Sequence, residues 1–531
     1  MTWERRLHWL ALALVAGCFA VALARVARLR GEAADPGRVT VRLAHWQLEA
    51  GVQEAFDLVA REYEALHPHV RIVQMRIPQR VFAQWSLTQL VGGTAPDILE
   101  IGPNLESLQQ ARYLTPLTDV VARPNPYNAG TELEGVPWRD TFIDGLAVGY
   151  DDKLGDYYGV PTFFATVRVY VNLELLREVT GGDALPATFD DFLRLCERTR
   201  EHARRTGRQV VPISGSRDNA PYLLDELFEA MSQKLVQAYS RGQGFYPSQD
   251  SFFLALLAGD WTPRHPAVQA GLGLMREAGR FMQPGFLQLR REDALFAFTQ
   301  GRALMLAAGS WESAGLAAQA RFPLGVFRLP LPADDDPRYG EFTWGRPAET
   351  SGRAMTGPFG LTRDAPNPRE ALDFLHFLTS RVQHQRFVER SRWLPVVVGV
   401  EAPPAMRGFM PDLEGSLPGL NLRWGTEIRR VTENHWHLLF SDQGGVGPFT
   451  DAVAPLLPEA ALGDLRRRDR RSLQQLQLSD PSVEALRQLH RRDPADPARR
   501  EKYQSLLQSL NDREAYYYQI HFRLAEAEAR R

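Results

Sequence analysis

Lysine is nearly missing from this chain. Of 62 basic residues only Lys153, Lys234 and Lys502 are lysines, so almost every cation is a guanidinium, an excess read here as genomic bias. Cysteine is as scarce. Cys18 and Cys196 stand alone, which excludes a disulfide scaffold, a zinc ribbon and an iron–sulfur protein. A charge of one sign is lacking too: the net is -2, too balanced for a dedicated nucleic-acid binder. No internal repeat of solenoid or propeller period occurs. There is no G-x-S-x-G, H-E-x-x-H or phosphate-loop run, and no motif that calls for a metal or cofactor. What remains is ordinary globular material, 531 residues with 44% apolar and 24% charged. That length divides into several domains, because one core rarely grows past roughly 250 residues.

The head, residues 1–39, differs from the rest. Arg5 and Arg6 precede an apolar run from Leu7 to Ala24, and Arg25, Arg28 and Arg30 follow it. A basic start before such a run reads as a signal peptide or membrane anchor, although a full transmembrane helix needs about 20 apolar residues. Three fates stay open: cleavage after Ala22-Leu23-Ala24, lipidation of Cys18 in the lipobox-like Leu14-Val15-Ala16-Gly17-Cys18, or retention as an anchor. Each places the body in the periplasm or another extracytoplasmic space. The second thiol, Cys196, shares one helix face with Phe189, Phe192 and Leu193 and is expected to pack as a small hydrophobe.

The body alternates strand and helix. Val39 to Ala44 has strand period, and Val52, Phe56, Val59, Tyr63 and Leu66 have helical spacing, closed by His67-Pro68. Strand returns at Val70 to Met75, helix at about Arg80 to Val91 with Gly92-Gly93 as its stop, strand at Asp97 to Ile101, and helix at Asn104 to Ala111. This α/β pattern predicts a parallel sheet with right-handed crossovers. Ligands in such sheets bind beyond the carboxyl ends of strands, where Trp46-Gln47-Leu48-Glu49 and Gly102-Pro103-Asn104 lie. Further on, Val167 to Val171, Leu304 to Leu306, Leu324 to Leu329 and Phe359 to Leu361 read as strands. Thr188 caps a helix with Asp190 and Asp191 in its first turn.

Several segments together resemble the extracellular solute-binding proteins of family 1, the sugar-binding components of ABC importers related to maltose-binding protein. They are Leu90-Val91-Gly92-Gly93-Thr94-Ala95-Pro96-Asp97-Ile98, Tyr158-Gly159-Val160-Pro161 with Tyr170-Val171-Asn172, and Phe298-x-x-Gly301-Arg302-Ala303-Leu304-Met305 running to Gly309-Ser310-Trp311. Arg369-Glu370-Ala371, Phe374-Leu375-x-Phe377-Leu378-Thr379-Ser380, Gln385 and Leu394-Pro395 follow in order. The resemblance covers roughly residues 40 to 460 and departs from the family near Gln233 to Phe252 and in the tail. It implies a two-lobed periplasmic-binding-protein fold of type II with hinge strands. Lobe one would hold 40–148 and 350–395, and lobe two 149–349 and 396–463. An N-terminal apolar helix would precede them and a helical extension, 464–531, follow.

The function implied is capture of a mono- or oligosaccharide in the interlobe cleft and delivery to ABC permease subunits, by a monomer without chemistry of its own. A sugar wants aromatic planes for its C–H faces and planar polar groups for its hydroxyls. The family places a stacking aromatic after the Gly-Ser pair, so Trp311 is the first candidate and Trp46 the second. Trp344 among Gly and Pro, and Trp424 late in the chain, are further candidates, while packing is the commoner fate of a tryptophan. Polar candidates are Gln47, Glu49, Glu100, Asn104, Glu312 and Arg353. At the end of its strand Glu100 would either face the cleft or be a solvated carboxylate. Two other readings are a sensor or structural partner with a degraded site, and a glycosidase using Glu49 with Glu100 or Glu312. His435 and His437 lack a third metal ligand nearby. In the tail, Tyr503, Leu506, Leu507, Leu510, Tyr517, Ile520 and Leu524 have helical spacing. A helix pair packed on lobe two is expected there, with a membrane- or partner-facing hairpin as the alternative.

Overall fold

In the strand Val39–His45 (β1), Val41 and Leu43 are wholly out of solvent. A computed structural model describes residues 37–530 apart from 50, 103–104, 106, 152–153, 241–248, 350–354 and 495. The head with Cys18, and the candidates Asn104 and Arg353, therefore lie outside the described residues. Val70–Arg76 (β2) and Ile98–Glu100 (β3) run parallel to β1 on its two sides. Helices Val52–Leu66 (α1) and Gln79–Val91 (α2) make the crossovers. α1 buries Val52, Ala55, Phe56, Val59, Ala60 and Tyr63, an i, i+3, i+4, i+7 stripe that holds it on the sheet. The chain enters α1 through Gly51 at φ +90°, where a Cβ would stand 2.9 Å from the Arg390 carbonyl, so only glycine fits. The helix expected at Asn104 to Ala111 lies further on, at Ser107–Tyr113.

Val160–Ala165 (β4) belongs to this first sheet. After Thr166 the chain enters Val167–Asn172 (β5) of a second sheet, which Val211–Ser214 (β6), Ala303–Gly309 (β7) and Leu324–Phe327 (β8) complete. Met355–Leu361 (β9) returns to the first sheet, antiparallel to β3 and β4. The orders are β2-β1-β3-β9-β4 and β8-β5-β7-β6. The expected junction at 148/149 thus moves to Thr166, because β4 hydrogen-bonds to β9. The junction at 395/396 moves as well. Phe142 bridges to Val397, the Ile143 N–H donates to the Val396 carbonyl, and the Val398 N–H donates to that of Thr141, so these residues stay with the first lobe.

The second sheet is covered by helices. Phe189–Thr206 starts with a capping box between Thr188 and Asp191 and carries Cys196 fully buried. Burial raises the Cys196 thiol well above its usual value, leaving it an inert core residue. The segment that departs from the family forms helices Gln233–Ser240 and Gln249–Ala258. No break falls at 463/464, since one helix runs from Leu457 to Arg492. Pro497–Ala529 folds back along it. Ile520 and Leu524 join the second-lobe core that holds Phe252, Phe253 and Trp436, and Arg468 pairs with Asp250. The extension is a helix pair seated on the second lobe. Among the described residues no helix is long and apolar enough to cross a membrane.

Candidate functional site

Two loops at strand carboxyl ends carry most of the candidates. The first follows β1. Glu100, the last residue of β3, is fully buried beneath it. The Trp46 N–H donates to Glu100 Oε2 at 3.1 Å and Gln47 Nε2 donates to Oε1 at 2.5 Å. Burial pushes the Glu100 carboxyl up to about 8, and the charge of Glu49 adds to this. Glu100 is therefore neither solvated nor open to the cleft. It is the post that holds the Trp46–Gln47 loop, which places Gln47 in a supporting role as well. Trp46 is partly buried, edge-on against Phe82 with ring centroids 4.8 Å apart.

The second loop follows β7. The Trp311 indole folds back over Gly309, leaving no room for a Cβ there. The Ser310 N–H donates to the Thr166 carbonyl at 2.8 Å, tying the loop to the crossing point between sheets. Tyr222 meets Trp311 edge-on at 6.1 Å. Glu312 is paired with Arg291.

Glu49 links the two loops. Its carboxyl is raised first by burial and to a lesser degree by the charge of Glu312, while its own backbone N–H and then Arg291 oppose the rise; burial likewise raises Glu312. Glu49 Oε2 is buried without a protein partner. A desolvated acceptor of this kind costs stability until a donor meets it. A hydroxyl-bearing ligand between the loops would supply one.

Other candidates fall elsewhere. Trp344 is 48% exposed, with Lys234 Nζ 4.3 Å from its ring centroid and its Nε1 donating to Gln237. Trp424 is partly buried and packs perpendicular to Phe252 at 5.4 Å, against the second-lobe core. Arg291 and Tyr222 were not legible as site residues. Nothing local marks them, and their roles arise from contacts with Glu312 and Trp311.

Two α/β lobes joined by strands that pass between them, with aromatic and acidic groups at neighbouring strand ends, define a periplasmic-binding-protein fold of type II. The chain belongs to the bacterial extracellular solute-binding proteins, a family that matches residues 48–385. A multiple sugar-binding protein of Streptococcus mutans serotype c (strain ATCC 700610 / UA159) is 21% identical over 448 residues, 82% of this chain and 91% of that protein. Among solved structures, a chitin oligosaccharide binding protein superposes with TM-score 0.54 at 17% identity, over 80% of this chain and 99% of that one. Maltose-bound MalE3 of T. maritima gives 0.52 at 19% identity, over 79% and 98%. These structural likenesses establish the fold.

Proposed function

We propose that this protein captures a carbohydrate between its lobes, outside the cytoplasm, and hands it to the permease of an ABC importer, tethered to the membrane through its head. The observation that carries the reading is the pair of loops Trp46-Gln47-Leu48-Glu49 and Ser310-Trp311-Glu312. They offer indole faces beside carboxylates, one of which has a buried oxygen without a partner. The sugar-binding relatives named above support it. Binding rather than hydrolysis is favoured because Glu100 lies wholly buried under its loop and Glu312, the other partner available to Glu49, is held in an ion pair by Arg291. Titration calorimetry against a broad glycan panel tests the proposal. Micromolar or tighter binding of some saccharide is expected, accompanied by a change in tryptophan fluorescence. Absence of binding across the panel, or release of reducing sugar, would overturn it.

A further inference from the structure

We propose that the second lobe carries a carbohydrate site of its own, apart from the one between the lobes, in a cavity walled by Trp436 and Phe440 and fitted to a short neutral saccharide. This rests on the carbohydrate reading and adds a second place of capture.

A cavity of about 510 Å³ lies between the helices Ala220–Met231, Pro266–Gly279 and Thr426–Phe440. Small-molecule sites span roughly 300–1,000 Å³. This is not the interlobe site. Tyr222, which meets Trp311, and Leu224, which walls this cavity, both belong to Ala220–Met231. Two positions along a helix turn about 200° around it, so the cavity lies across that helix from Trp311.

Glu433, Trp436, His437 and Phe440 share one face of Thr426–Phe440 and form one wall. Trp436 is 5% exposed and stacks flat on Phe449, with ring centroids 4.9 Å apart. Its indole N–H has no acceptor among the described residues. The N–H of a buried tryptophan usually finds a partner, and a sugar hydroxyl in the cavity supplies one. Phe440 is held edge-on by Phe286 at 5.3 Å and closes over Gly279, where a Cβ would stand 2.5 Å from its ring. That ring is thus fixed before any ligand arrives, and Leu224, Met275 and Leu287 complete an apolar floor.

The charges of the wall compensate one another. Arg423 pairs with Asp225 at 2.7 Å and with Glu433 at 2.9 Å. Arg217 stands 3.7 Å from Asp218, which also accepts the Arg291 N–H. Two guanidiniums therefore face three carboxylates, and burial pushes one of the three, Asp225, up to about 7 against the pull of Arg423. No charge is left over to call for an ion. Gln288, Asn434 and His437 add planar polar groups. An apolar floor under paired charges and amides matches a ring with C–H faces and hydroxyl edges. A purely apolar ligand would strip water from the polar groups and give nothing back.

A chain labelled with 5-fluorotryptophan resolves its indoles by fluorine NMR, and Trp436→Phe assigns the signal of residue 436. Maltose, cellobiose, lactose and N,N′-diacetylchitobiose are titrated into the wild type and into Trp311→Ala. At least one should move the 436 signal saturably in both proteins, with Kd values within about threefold of each other. Asn434→Phe fills the cavity from an exposed position; it should raise that Kd about tenfold or more and leave interlobe binding, read by calorimetry, unchanged. Thermal midpoints report whether the variants fold. If Trp311→Ala does not, calorimetric stoichiometry decides: two saccharides per chain in the wild type and one in Asn434→Phe. A 436 signal that no disaccharide moves, or that moves only while Trp311 is present, would overturn the second site and leave the carbohydrate reading standing. Movement by benzyl alcohol or glucuronate and by no neutral disaccharide would overturn the class of ligand. No saccharide binding to the chain by any signal would overturn both readings.

Discussion

Arg168 and Glu349 form a two-pronged ion pair: Nη1 donates to Oε1 at 2.6 Å and Nη2 donates to Oε2 at 2.9 Å. Arg168 lies on β5, two residues past the crossing, and its side chain is 2% exposed. It also donates to the carbonyls of Gly408 and Met410. Glu349 stands just before the strand that returns to the first sheet. The pair thus fastens three separate passes of the chain at the junction of the two sheets.

Removing Glu349 should cost far more than a surface pair would. Glu349→Ala leaves Arg168 and Arg328 without their shared carboxylate, and about 3–5 kcal/mol of stability should go with it. Urea unfolding measures this. A loss below about 1 kcal/mol, the range of exposed pairs, would show that the pair carries no structural weight.

Acid should weaken the fold through three histidines of the first lobe. Burial lowers His45 and His376 to about 4 and His384 to about 3. The His384 Nε2 accepts the Val396 N–H, which requires the neutral ring. The unfolded chain binds these protons below about pH 6.5, while the fold refuses them. The stability these histidines allow is therefore complete above pH 6.5 and falls as pH drops towards 4. Denaturant midpoints at several pH values should show that slope, and His384→Gln should make it shallower.

Glu100 acts in the opposite direction. Its folded value near 8 exceeds the unfolded value of 4.5, so the folded chain keeps a proton that the unfolded chain has lost. Stability should decline as pH rises from about 4.5 to 8. Glu100→Gln, neutral at every pH, should remove that decline and be relatively more stable at pH 8 than at pH 5. Parallel pH profiles for the two proteins would rule this out.

Trp311 should matter more for binding than for folding. Trp311→Ala should weaken the best saccharide roughly thirtyfold or more, as a central aromatic contact does, with a smaller change in thermal midpoint. Saturating ligand should also reduce the radius of gyration seen by solution scattering, as hinge closure requires. An unchanged scattering profile would argue against closure.

Asp464 should prove to be a cap from a distance. Its carboxylate accepts from the N–H groups of Thr426, Glu427 and Ile428, which open the helix Thr426–Phe440. Asp464→Ala should cost about 1–2 kcal/mol, the scale of a lost helix cap. Chemical denaturation of the full chain reads it.

The strands and helices from β1 to β3 were legible because each is written in a local period, and Thr188 with Asp191 spelled out its own cap. The order of short segments from Leu90 to Pro395 was enough to place the chain in its family and to point at the loop holding Trp311, while the loop holding Trp46 was marked by its place after the first strand. What tertiary structure alone decided are matters of pairing between distant residues. The crossing falls at Thr166 because β4 bonds to β9, nearly 200 positions later. Glu100 is a buried post because Gln47 and Trp46 fold over it, and Trp424 packs against the second-lobe core because it meets Phe252. Periodicity is a property of neighbours in the chain. Burial and charge balance are set by neighbours in space, and no single stretch of sequence names those.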